Sequence, residues 1–82
     1  MKFRKKPVVV EATQFFVKGP LVEGVHRTPN PASDESLNYW VETIHGQRAY
    51  LLDGDWVITE PDGVHHYPCK PDIFRATYER AG

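Results

Sequence analysis

Residues 39–67 read YWVETIHGQRAYLLDGDWVITEPDGVHHY, and the spacing of their turn residues decides the fold. Runs of β-branched and aromatic residues are cut by His45-Gly46, by Asp53-Gly54 and by Pro61-Asp62-Gly63. Asp-Gly is among the stronger hairpin dipeptides because both of its positions tolerate positive φ. The pattern predicts short strands over 39–44, 48–52, 55–59 and 64–67, joined as an antiparallel meander with Trp56 and Ile58 on one face.

Upstream, KPVVVEATQFF from Lys6 predicts a strand over 7–16. Val8, Val10, Ala12 and Phe16 would share one face, with Val9 and Phe15 on the other, as in a strand covered on both sides. Gln14 breaks the alternation and marks a bulge. Over 17–36, Gly19, Pro20, Gly24, Pro29, Asn30 and Pro31 leave neither a strand nor a helix period, so a long loop is expected. A stretch of that length inside a compact domain is usually either functional or mobile, and a tolerated insertion is at least as good a reading. Downstream of Cys69, Pro71 suits a first helical position, Asp72 the first turn and Arg80 the last, predicting a helix over 71–80. Its apolar stripe is Ile73, Phe74, Thr77 and Tyr78. The expected fold is α+β, mostly β: an N-terminal strand, a meander of about four strands and one short helix packed on the sheet.

The 82 residues leave room for a single domain, 1–82, since a chain this short buries too little surface for a second core. With 40% hydrophobic and 12% aromatic residues it is a folded chain. The net charge of −1 supplies no global field for nucleic acid or anionic membrane, so both are disfavoured as partners. No apolar run approaches the roughly 20 residues that span a bilayer. The basic start, Lys2, Arg4, Lys5 and Lys6, runs into Glu11, Thr13 and Gln14, which break the apolar region an export signal needs. Cys69 is the only cysteine, so no internal disulfide forms and a reducing compartment is expected. Packing alone gives a domain of this size little net stability, which favours a homo-oligomer.

The opening MKFRKKPVVVEATQF, with GDWVI at 54–58 and YPCKPDIFRATYE at 67–79, resembles small proteins of tailed phages and prophages. Those proteins begin with an RKKPVVVEA-like strand and end with a GDW-like turn and a YPCKPDIF-like helix start. The resemblance covers both ends and is interrupted over 17–36, where such proteins often carry a helical stretch. It implies a phage or prophage product acting in the bacterial host cytoplasm, and it brings a setting rather than an activity.

Catalytic and metal patterns are each short of a required group. Gly54-Asp55 followed by Pro61-Asp62-Gly63-Val64-His65-His66 approximates a cupin metal motif, but the companion motif is missing, and adjacent histidines on a strand point to opposite faces. Cys69 with His65 or His66 lacks an orienting acid, and a lone cysteine is more often a small buried hydrophobe. Asp34-Glu35 lies in the loop and Asp53 with Asp55 flanks a turn, where Asp is expected anyway. No catalytic residue, metal ligand or cofactor is assigned. The basic Arg4, Lys5 and Lys6 read as a solvated guard against edge-to-edge pairing.

What remains is binding. Trp40, Tyr50, Trp56 and Tyr67, most of them expected in the core, combine stacking surface with the cationic Arg48, Lys70 and Arg75, and from this set Trp40, Arg48, Tyr67, Lys70 and Arg75 form the candidate ligand site. The first expectation is a non-catalytic accessory protein that binds a host or phage macromolecule. The alternatives are a protein that sequesters a nucleotide-type signal and so counteracts host defence, and a virion structural or assembly protein.

Overall fold

The computed structural model describes residues 1–3, 9–29 and 37–79. The expected strand residues Pro7 and Val8, the Arg4-Lys5-Lys6 patch, Asp34-Glu35 and the helix end at Arg80 lie outside them. The fold is mostly β with one short helix: β1 (Ala12–Gln14), β2 (His26–Arg27), β3 (Tyr39–Glu42), β4 (Arg48–Tyr50), β5 (Trp56–Thr59), β6 (His66–Cys69) and α1 (Pro71–Thr77). All four strands expected between 39 and 67 are present, the last of them lying two residues later at His66–Cys69, but they pair as two hairpins in separate sheets. The first sheet has the order β1-β5-β6 and the second β2-β3-β4, both antiparallel.

The chain changes sheets at Asp53-Gly54. Asp55 N–H closes a turn on the Leu52 carbonyl (3.1 Å), with Gly54 at φ +90°, the conformation that suits glycine at the third position of such a turn. No β4–β5 hairpin results. Instead Gly54 N–H donates to the Phe15 carbonyl and Phe15 N–H to the Asp55 carbonyl, both at 2.7 Å. Two residues thus oppose one, a bulge with a positive-φ glycine at its first position. The irregularity expected at Gln14 therefore sits on the facing strand. Gln14 itself is in regular register with Trp56 and donates its side-chain amide to the Gly54 carbonyl (3.0 Å).

The strand expected to be covered on both sides is an edge strand, and Val9 is exposed. The central place goes to β5, whose consecutive Val57 and Ile58 are both buried, one toward each face. Val57 joins Phe15, Val41 and Leu51 between the sheets, with Val22, Val25, Tyr39 and Ala49 packed around them. On the other face Trp56 stacks on Phe74 of α1, with centroids 4.0 Å apart and planes 7° from parallel. Trp56 therefore belongs to the helix layer and not to the inter-sheet core.

Helix α1 starts at Pro71 as its sequence dictates and stops at Thr77, where Tyr78 turns extended (ψ 147°) while its N–H still reaches the Phe74 carbonyl. Of the expected stripe only Phe74 and Tyr78 are half-buried; Ile73 and Thr77 are exposed. About two turns of helix offer a single line of contact to the sheet.

Within the expected loop, the described residues hold two turns and a strand. Val22 to Val25 closes a turn (3.2 Å) with Gly24 at φ +87°, and β2 then pairs with β3 in the register His26↔Trp40 and Arg27↔Tyr39. Two residues are too few to show alternation, so only the pairing reveals β2. The β3–β4 hairpin closes where Thr43 N–H meets the Gln47 carbonyl (2.8 Å), around Ile44-His45-Gly46 with Gly46 at φ +75°.

Candidate functional site

The register of the second sheet fixes which side chains share a face. His26, Trp40 and Tyr50 are direct cross-strand neighbours, and Glu42 pairs with Arg48 one rung along the same face. The alternate residues, Tyr39, Val41 and Ala49, turn inward to the core. The outer face therefore carries Trp40 at its centre, with His26 stacked on it at 4.4 Å and 24° and the Arg48 guanidinium 4.0 Å from its ring centroid. His26 and Arg48 reach Trp40 from the strands on either side of β3, so the indole is held in place. Tyr50 stands beside it, exposed.

Of the five residues expected to form one site, this face unites Trp40 and Arg48. The other three lie on the helix side of the first sheet, each in its own setting. The Tyr67 hydroxyl is hydrogen-bonded to that of Tyr78 (3.2 Å), and burial first, then this bond, push its ionisation well above the usual phenol range. Lys70 holds the Asp55 carboxylate at 3.0 and 3.2 Å. Arg75 is exposed on α1. A continuous site of all five is not formed by the described residues, because the two hairpins belong to different sheets. His26 was missed because its strand was missed, while Tyr50 is legible as the rung partner of Trp40 once β3 and β4 are paired.

Beside this face a small electrostatic cluster links the sheets. Asp62 accepts the backbone N–H groups of Val64 (2.8 Å) and His65 (2.9 Å) with one oxygen and bonds the His65 imidazole Nδ1 with the other. His65 Nε2 faces Glu42 of the second sheet at 3.9 Å. The imidazole bond, followed by the two backbone bonds, lowers Asp62 from 3.8 to about 2. The same bond to Asp62 raises His65 above 6.5, with smaller contributions from the charges of Asp62, Glu42 and Glu60 against some desolvation. A raised imidazole stabilises the fold fully below 6.5, and the contribution fades as pH climbs through its folded value. A lowered carboxylate stabilises above 3.8, and that contribution is lost as pH falls toward 2. The two overlap between 3.8 and 6.5. An NMR titration is expected to find His65 titrating above 6.5 in the wild type and falling back toward that value in Asp62→Asn. An unchanged midpoint would show that Asp62 does not hold the imidazole.

His65 and His66 diverge: His65 faces Asp62 and Glu42, while the His66 ring is buried against Gly24. Cys69 lies on the opposite face of β6 from His66, and burial, then Asp55 and Asp72, raise its thiol, which keeps it protonated at neutral pH. Among the described residues no three His, Cys, Asp or Glu side chains come together as a metal site. No helix among them is long and apolar enough to cross a membrane. No family model, curated protein or solved structure matches the chain.

Proposed function

We propose that this chain is a non-catalytic accessory protein of phage or prophage origin that docks on a host or phage protein through the outer face of its second sheet, in the host cytoplasm. The observation that carries this reading is the outer rung His26–Trp40–Tyr50, with His26 and Tyr50 exposed, Trp40 half-buried between its neighbours and Arg48 laid over the indole. Trp, Tyr and Arg are the residues that dominate protein-interface hot spots. Here Trp40 is already braced from both flanks, so little side-chain entropy is lost when a partner covers it. With both flanks engaged, the indole presents an edge and an apolar body rather than a free stacking face, which favours a protein over a base. The phage setting rests on the resemblance of the two ends of the chain.

Affinity capture from infected or lysogenic host lysate, with wild type, Trp40→Ser and Arg48→Glu in parallel, tests the reading. Truncating a hot-spot residue costs about 2 kcal/mol or more, roughly thirtyfold in affinity, so each variant is expected to lose the captured partner. Both positions lie outside the core, and circular dichroism is expected to be unchanged. Equal capture by all three proteins, or none by wild type, would contradict the assignment. Light scattering in the same series reveals whether the partner is a second copy of the chain, the self-association expected from its size.

A further inference from the structure

On the side of the second sheet away from the Trp40 cluster, an open groove of about 640 Å³ runs between the sheets. It is lined by Phe16, Val17, Lys18, Arg27, Asn38, Tyr39 and Asp53. We propose that it binds a nucleoside monophosphate, the phosphate on Lys18 and Arg27 and the base against Phe16 and Tyr39.

The lining divides by chemistry. Lys18 and Arg27 are exposed cations, and neither forms a salt bridge with any described residue, Asp53 in the same groove included. Two exposed cations at one mouth suit a dianionic group, with Arg offering a planar fork to its oxygens. Phe16 is half-exposed and Tyr39 partly so, its inner side tilted on Phe15 at 5.1 Å, which leaves aromatic surface for a base. Asp53 spends one oxygen on the Val17 N–H (2.7 Å), leaving the other as an acceptor of the kind ribose hydroxyls use. Asn38 contributes the remaining signal: its Oδ1 is buried without a hydrogen-bond partner. An unmet buried acceptor is costly. Asn38 lines the groove and is only half-buried, so its side-chain amide brings both a donor and an acceptor to the site of a base edge. A groove of this volume lies within the usual range of small-molecule sites.

The inference is independent of the docking face, which uses the other side of β2 and β3. NMR titration of the full chain with AMP, GMP, CMP, UMP, adenosine and inorganic phosphate tests it. At least one monophosphate is expected to shift amides around Lys18, Arg27 and Asn38 saturably and to leave the two indole N–H signals in place. Lys18→Ala and Arg27→Ala are each expected to weaken that binding on the order of tenfold. Adenosine and phosphate alone are expected to bind more weakly than the monophosphate. Both substitutions are at exposed positions, and the unperturbed spectrum of each variant verifies its fold. No saturable shifts with any nucleotide, equal affinity for inorganic phosphate, or affinity unchanged in both variants would overturn the assignment.

Discussion

Gly24→Ala is expected to cost about 2–5 kcal/mol, a large share of the whole stability of a domain of this size. Two effects add. Gly24 sits at φ +87°, where a side chain costs about 1–2 kcal/mol. A Cβ built there would also overlap the His66 ring, a side chain 6% exposed that cannot swing away without leaving the interior. Overpacking of that kind adds about 1–3 kcal/mol. Gly46 and Gly63 are internal controls: both have positive φ and neither has an atom within 4 Å of an added Cβ, so alanine there should cost only the backbone share. Urea unfolding of the three variants separates the terms, and a Gly24→Ala/His66→Ala double variant should cost less than the two single changes summed. Equal losses at all three glycines would mean that Gly24 does not press on His66.

Lys70→Met is the second large effect, expected to cost about 1–3 kcal/mol. Asp55 is 2% exposed, and its carboxylate is met by the Leu52 N–H (2.9 Å) and by the Lys70 ammonium. Removing Lys70 strands a buried charge with one remaining donor. The cost stays below that of a fully enclosed pair because Lys70 keeps half of its side chain in water. Asp55→Asn removes the charge and keeps an acceptor for Leu52, so the double variant Asp55→Asn/Lys70→Met should be more stable than the sum of the singles predicts. Additive losses in a double-mutant cycle would show that the pair is not coupled. The pair ties the turn where the chain changes sheets to the residue that precedes α1. Lys70 therefore holds the fold together, though its sequence suggested a ligand contact.

Turns were the most legible part of the fold. Gly46, Gly54 and Gly63 all take the positive φ that their dipeptides call for, and Pro71 starts the helix. Pairing was not legible, because Asp53-Gly54 reads the same whether the chain folds back on β4 or runs off to β1. The outcome rests on hydrogen bonds to Phe15, some forty residues upstream. The β-branched run before Glu11 suggested a central strand, yet the centre belongs to Trp56–Thr59, where two consecutive buried residues satisfy both faces. The site followed the same rule. Trp40 and Arg48 come together because one hairpin carries both, a local relation, while Tyr67, Lys70 and Arg75 are separated by a sheet order that no local pattern encodes. His26 reaches Trp40 only through β2, whose two residues carry no period of their own.

The chain has two tryptophans, and the fold places them on different surfaces: Trp40 on the outer face of the second sheet, Trp56 beneath α1. Their indole N–H signals make the most direct measurement of where a partner docks. On addition of the partner captured from host lysate, the Trp40 signal is expected to shift or broaden while that of Trp56 stays in place. A shift at Trp56 with Trp40 unmoved would contradict docking through the second sheet.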